Sequence, residues 1–424
     1  MTKYEKADVF NDAEVTADPY PFFEYLRELG PITRDPLRDD VVHVTGYDEG
    51  NAIFKDDENF SAIDCTTGPF LPYEFDPSRD INEQIAECRV QNPFANTIIN
   101  QDLPDHNRSK SILNGIITPA RLKANEEFMH TLANEIIDEF IDDGHFDVVS
   151  QYGQPFAQLV IADLLGVPKE DHAEVRGMIG APDQMPGTLG GEFDFANNPL
   201  MKMGMHFIQY ITDRRANPRD DVLTRLANQT VDDGSLPDPL EVVAVATFLF
   251  GAGQDTTVQL FTGMMRYLSE YPDLEDRLRA DRSRIPDFIE EVLRMQGTTK
   301  STFRLCRQPI TVGGVDIEPG THVMLHLAGM NRDPRKFENP DKFDIDRANL
   351  RTHVTFGRGI HACAGGPLAR AEGRISLERM FDRFRNIRID PDKHGSPGDW
   401  EFDYLMNYSL RGVLEMQVLF DRID

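Results

Sequence analysis

The chain has 424 residues, 40% of them hydrophobic, which is enough for a substantial core and long enough for two or three ordinary domains or one large one. Its formal charge of −28 argues against nucleic acid or an anionic membrane as partner, since both require basic surface. The charged N-terminus, M-T-K-Y-E-K-A-D-V-F, lacks the apolar stretch of a signal peptide or anchor helix, and the most apolar run, Val242 to Ala252, is too short to span a bilayer, so a soluble protein is expected.

In chain order, Pro21 to Leu29 and Asp48 to Lys55 have helical patterns, with the strand-like Val41-Val42-His43-Val44 between them. Residues 61–100, with prolines at 69, 72, 77 and 93, form a long irregular segment of the kind that serves as a lid or substrate contact. At Asp102 the run D-L-P-D-H-N-R-S-K starts a helix, and His106 and Lys110 share one face at i, i+4. Alone, that face could simply be solvated. Helical patterns fill Ala120 to Asp142 and Ala157 to Leu165. Residues 180–199, rich in Gly, Pro and Asn, form a second loop.

From Leu240 to Glu270 one long helix is predicted, apolar almost all round and therefore buried. It contains G-A-G-Q-D-T-T. Each interior glycine costs about 1 kcal/mol relative to Ala, so such a defect implies either a close approach to the backbone or a kink with Asp255 as a buried structural group. Further on, I-E-E-V-L-R places Glu291 and Arg294 one turn apart, a pattern that is most often an ion pair. I-T-V-G-G-V-D-I and E-P-G-T-H-V-M-L-H follow as strands with turns.

The most informative stretch is T-F-G-R-G-I-H-A-C-A-G-G-P-L-A-R, Thr355 to Arg370. It sets Cys363 in a glycine-rich turn just ahead of a helix that runs to about Phe384. A thiol at a helix N-terminus is pushed toward thiolate, and a shielded thiolate suits an axial haem ligand. A buried structural cysteine is the plain alternative. Zinc fails, because His361 and Cys363 are too close in sequence and no second Cys/His pair exists. The other cysteines, Cys65, Cys88 and Cys306, show no framework spacing and point to a reducing cytoplasm.

The ungapped run F-G-x-G-x-H-x-C-x-G resembles the haem-binding loop of the cytochrome P450 superfamily, and three further motifs follow the family in order. The resemblance implies a mainly α fold with small β-sheets, a single haem domain over residues 1–424 with no fused reductase, and haem b (iron protoporphyrin IX). It makes Cys363 the iron ligand within a loop containing Phe356 and Gly357. His106, Arg304 and His361 hold the propionates, with Lys110 at a position where the family has Arg; Lys offers a point charge without the bidentate fork. G-A-G-Q-D-T-T resembles the family's oxygen-site motif: Thr256 holds oxygen and relays protons, Asp255 feeds them, and Ala252 and Gly253 leave room. Glu291, Arg294 and Arg347 form a structural network. Phe248, Gly251, Thr299, Lys300, Thr302 and Phe303 line the substrate side, although Lys300 could instead face solvent.

The implied activity is hydroxylation of a small, mostly apolar organic substrate with O2. A separate 2Fe-2S ferredoxin and its reductase supply electrons to a monomeric, cytoplasmic protein. The donor would dock near the cysteine loop, at Arg121, Lys123, Arg358, Arg370 and Arg374. A peroxide-driven relative and a non-catalytic haem-thiolate sensor or carrier are the rival readings. The Asp255–Thr256 pair argues against both, because neither has use for a proton-delivery pair.

Overall fold

The computed structural model describes residues 3–178, 188 and 198–423. Most of the loop expected at 180–199 lies outside them. The chain is mainly helical, and the helices begin where local chemistry satisfies their first amides. Thr118 caps Pro119–Asp138, Asp238 caps Pro239–Ala252, and Asn198 caps Pro199–Ala216, each with proline in the first turn.

The central helix Gln254–Glu270 packs against Gln154–Leu165, Ile285–Gln296 and Gly366–Arg383. Its buried face carries Val258, Phe261, Met264, Met265 and Leu268. These join the largest apolar cluster, which also takes in Phe156, Ile161, Phe288 and Leu377. Helix Gln154–Leu165 is buried at nearly every position, which explains why no amphipathic stripe marks it in the sequence.

A five-stranded sheet flanks the helical body, in spatial order Ile32–Arg34, Val41–Val44, His322–Leu325, Thr302–Cys306, Phe60–Ser61. Only the second and third strands are parallel, with Val41 opposite His322. A three-stranded sheet joins His145–Asp147, Gln417–Arg422 and Phe384–Ile389. In I-T-V-G-G-V-D-I the strands Ile310–Val312 and Val315–Ile317 pair through Gly313 and Gly314, both at positive φ (58° and 81°), as a tight hairpin turn demands.

Two elements differ from the sequence reading. The irregular segment 61–100 contains a helix, Ile81–Gln91, capped by Asp80 and buried through Ile81, Ile85 and Cys88. The long helix expected from Leu240 to Glu270 is two helices, broken at Gly253. Among the described residues no helix is long and apolar enough to cross a membrane.

Candidate functional site

The cysteine loop is built by its backbone. The Cys363 amide donates to the Phe356 carbonyl (2.9 Å) and the Gly357 amide to Val354 (2.8 Å). Gly357 and Gly359 sit at φ 64° and 72°, and a side chain at Gly359 would collide with the Phe54 carbonyl. Burial pushes the Cys363 thiol up, opposed by the Gly365 and Gly366 amides and by the charges of Lys110 and Arg370. Yet Cys363 is exposed, while Cys65, Cys88 and Cys306 are buried. The thiol is therefore open to a ligand while the protein atoms crowded around it still disfavour its charge.

A second open surface lies on the broken helix. Ala244, Phe248, Ala252 and Thr256 recur every fourth residue and so share one face; three of them are exposed and Phe248 is half-buried, in a stretch otherwise largely enclosed. The Thr256 hydroxyl donates to the Ala252 carbonyl (2.9 Å) across the break. Burial alone raises the Asp255 carboxyl. Helix Asp105–Ile116 touches both elements: Arg108 donates to Glu241 (2.7 Å), and Lys110 to the Ala362 carbonyl beside Cys363 (3.1 Å).

Basic side chains converge beside the loop. The rings of His106 and His361 are 4.2 Å apart. Arg304, 4% exposed, donates to the Phe303 carbonyl (2.7 Å) and lies over the Phe54 ring. Burial, then Lys110 and Arg304, lowers His106 to about 4. Burial, then Arg304, His106 and Lys110, lowers His361 to about 2. The carboxylate nearest His106 in influence, Asp102, is already engaged by Arg89 (3.0 Å) and Arg307 (2.9 Å). Among the described residues the buried His106 Nδ1 has no hydrogen-bond partner. Two cations, Arg304 and Lys110, and two imidazoles that burial keeps neutral thus lie together with one hydrogen-bonding atom unmet among the described residues, beside an accessible thiol. A haem, with two propionates and an iron that takes a thiolate, fits both deficits.

Glu291 and Arg294 pair bidentately (2.7 and 2.8 Å) with both side chains at 0% exposure. Arg347 lies 3.4 Å from Glu291. The adjacent acid, Glu290, was not singled out in the sequence. It binds His353 (2.9 Å) and Arg370 (2.5 and 3.0 Å), and these interactions outweigh burial to hold its carboxyl at about 2. It ties helix Ile285–Gln296 directly to the cysteine loop. Glu372 also escaped notice: it receives the Thr257 hydroxyl (2.8 Å), and burial pushes it up to about 8. A signal existed, because Leu368, Glu372 and Ile375 share a core face.

Several substrate-side expectations need correction. Gly251 faces Leu200, whose Cδ2 would lie 2.8 Å from a Cβ there, and Gly253 faces Ile161 at 2.6 Å. On the side a Cβ would take, both glycines admit a neighbouring helix. Phe303, 0% exposed, packs among Phe10, Tyr408 and Met324. Thr302 is half-buried and donates to the Cys65 carbonyl (3.0 Å). Thr299 is half-buried and bridged to Leu410.

Lys300 faces neither cleft nor solvent. It is 2% exposed, and its Nζ donates to the Thr16 carbonyl (2.7 Å) at the C-terminal end of helix Ala13–Ala17. Burial lowers it from 10.5 to about 7. Between those values the unfolded chain binds the extra proton, so stability should rise with pH from 7 to about 10, by on the order of 3–5 kcal/mol. Lys300→Met should abolish this rise in urea unfolding and gain about 1–3 kcal/mol at pH 6. An unchanged pH slope would show that the ammonium is not desolvated.

Comparison with known proteins agrees with this geometry. The cytochrome P450 family model matches residues 193–399. The chain is 30% identical to the cytochrome P450 monooxygenase PikC of Streptomyces venezuelae, covering 96% of this chain and 92% of that one. It is 31% identical to the 6-deoxyerythronolide B hydroxylase of Saccharopolyspora erythraea, covering 88% and 91%. It superposes on the substrate-free cytochrome P450 CYP150A6 of Mycobacterium marinum with a TM-score of 0.93 and 46% identity over the whole of both chains. A likeness of this extent shows that the chain belongs to the cytochrome P450 superfamily and is a P450 monooxygenase.

Proposed function

We propose that the chain is a single haem domain that hydroxylates a small, mostly apolar organic molecule, using haem b ligated by Cys363. The observation that carries this is the accessible Cys363 thiol beside the Arg304, Lys110, His106 and His361 cluster, in which His106 Nδ1 has no hydrogen-bond partner among the described residues. When bound, the haem supplies dioxygen activation, and a thiolate ligand favours O–O cleavage. The balanced reaction takes a substrate C–H, O2, two electrons and two protons to the alcohol and water.

The chain's own groups do the rest. The Gly365 and Gly366 amides and the nearby Lys110 and Arg370 charges favour the Cys363 thiolate against its burial. His106, Arg304 and His361, with Lys110, hold the propionates, which would return the two imidazoles toward their ordinary basicity. Ala252 leaves space on the open stripe, and Phe248 lines it. Asp255, whose carboxyl burial pushes up from its usual range, supplies protons to the Thr256 hydroxyl. Glu291, Arg294 and Arg347 hold the loop's scaffold.

Electrons come from a separate 2Fe-2S ferredoxin served by its reductase, to a monomer in the cytoplasm. Of the basic residues expected to meet it, Arg121 is paired with Asp163, Arg370 with Glu290, and Arg374 with Glu126 and Glu378. Lys123 and Arg358 have no carboxylate partner among the described residues, so the docking contacts centre on them.

A spin-state titration with terpenoids, steroids, aromatics and fatty acids identifies the substrate. With that substrate, Thr256→Ala should lower product formed per NAD(P)H consumed about tenfold or more while electron consumption continues. Full coupling in Thr256→Ala would remove the hydroxyl from proton delivery. No turnover by the wild type with any donor would favour the sensor reading.

A further inference from the structure

Four buried polar side chains form a single file across the five-stranded sheet. Ser301 Oγ lies 2.8 Å from His326 Nδ1, His326 Nε2 lies 3.0 Å from His43 Nδ1, and His43 Nε2 lies 2.8 Å from Asp35 Oδ2. Both histidines are 0% exposed, Ser301 1% and Asp35 6%. Nothing in the haem-site reading uses them.

The bonding order of this file is determined from one end. Burial pushes the Asp35 carboxyl up, but the His43 N–H and the Leu37 and Arg38 amides (2.8 and 2.9 Å) outweigh it and hold it below the usual carboxylate range. Ionised Asp35 only accepts, so His43 carries its proton on Nε2 and accepts at Nδ1. His326 must then donate from Nε2 and accept at Nδ1, and Ser301 must donate. Two imidazoliums would set N–H against N–H at 3.0 Å, so the file can take up at most one proton. On whichever of the two rings that proton rests, the Ser301–His326 bond reverses: His326 Nδ1–H donates to Ser301 Oγ, and the Ser301 hydroxyl hydrogen loses its acceptor.

The groups that face the file oppose this uptake. Burial, then His43 and Lys300, pushes His326 well down. Lys300 reaches it from the segment before strand Thr302–Cys306. Helix Tyr20–Leu29 presents the Phe23 ring to His326 (4.5 Å) and Phe22 to His43 (6.0 Å), while its Arg27 donates to the Gly329 carbonyl on helix Leu327–Met330. On strand His322–Leu325 the titratable group, His322, is paired with Asp64 (2.8 Å). Beside Asp35, Arg38 lies 3.5 Å from Asp40.

Ser301 sits in a segment that reaches the proposed site. The Lys300 and Ser301 amides both donate to the Ser409 carbonyl (2.9 and 3.1 Å). Three residues earlier, the Thr298 hydroxyl donates to the Thr256 carbonyl (3.3 Å). We propose that the Asp35–His43–His326–Ser301 file positions the Thr298–Thr302 segment against the Thr256 helix, and that uptake of one proton by the file turns the Ser301 hydroxyl away from His326 Nδ1 and so shifts that segment. This rests on Thr256 facing the reacting side. His43 and His326 are positioning residues and touch no substrate.

The test uses the holoenzyme in its diamagnetic ferrous–CO form with 15N-labelled histidine. At pH 7.5 His43 and His326 should both be Nε2–H tautomers, and on acidification they should gain one proton between them. The affinity of the ferrous haem for carbon monoxide, a ligand with no titratable group, should change about five- to tenfold across that same pH and less than twofold in Ser301→Ala. An Nδ1–H tautomer at either histidine, independent protonation of both, or an affinity break that survives in Ser301→Ala would overturn the proposal. The tautomer measurement needs no variant. Absence of the haem–thiolate signature in the wild type would instead overturn the haem reading, which the tautomers do not depend on.

Discussion

Cys363→Ser should abolish the thiolate signature of the ferrous–CO spectrum and lower hydroxylation by roughly 10³-fold or more, equivalent to about 4 kcal/mol of barrier. Serine keeps the size and the loop but not the soft, electron-donating ligand. The loop itself should persist, because its turns are made by the Cys363 and Gly357 amides and not by the thiol. The other cysteines supply the control. Cys306 is fully buried, its thiol donates to the Gln308 carbonyl (3.1 Å), and burial pushes it up to about 11. Cys306→Ser should therefore leave the CO spectrum unchanged. A thiolate signature that survived Cys363→Ser would move the ligand elsewhere and remove the basis for the proposed site.

The cysteine loop was legible because its chemistry is local: glycines at positive φ, a helix start and one thiol lie within a few residues. The same holds for Glu291 and Arg294, which are neighbours on one turn. What the sequence hid was long-range. The Lys300 partner, the Thr16 carbonyl, is 284 residues away, and no local pattern distinguishes a lysine that caps a distant helix from one in solvent. His106 and His361 meet only through packing. The errors at Phe303 and Gly251 had a different origin. Strand residues alternate sides, so Thr302 and Phe303 could not both line one cleft. Gly251 reads as a substrate-lining position and Gly253 as room at the oxygen site, whereas a Cβ at either would meet a neighbouring helix through Leu200 or Ile161. The break at Gly253 is the backbone consequence of the same glycine-rich motif, and it frees the Ala252 carbonyl for Thr256.

Glu291→Ala should cost about 3–5 kcal/mol of stability, a large share of the 5–15 kcal/mol typical of a folded domain. Arg294 is 1% exposed and donates to the Asn331, Pro340 and Lys342 carbonyls as well as to Glu291. Those carbonyls solvate the guanidinium without neutralising it, so removing Glu291 strands a buried cation. It also deprives the Asp344 amide (2.9 Å) of its acceptor. Glu291→Gln keeps the shape and part of the hydrogen bonding, and should fall between wild type and Ala. Asp346→Ala removes a carboxylate 54% exposed, paired with Arg277 and Arg284, and should cost no more than about 1 kcal/mol because water screens those pairs. Thermal or urea unfolding of the three variants therefore separates burial from charge pairing as such. A cost for Glu291→Ala no greater than that for Asp346→Ala would mean that the network is not an enclosed one. The loop's position would then depend on Glu290, His353 and Arg370 instead, and Glu290→Ala would become the variant that releases Cys363 from its place.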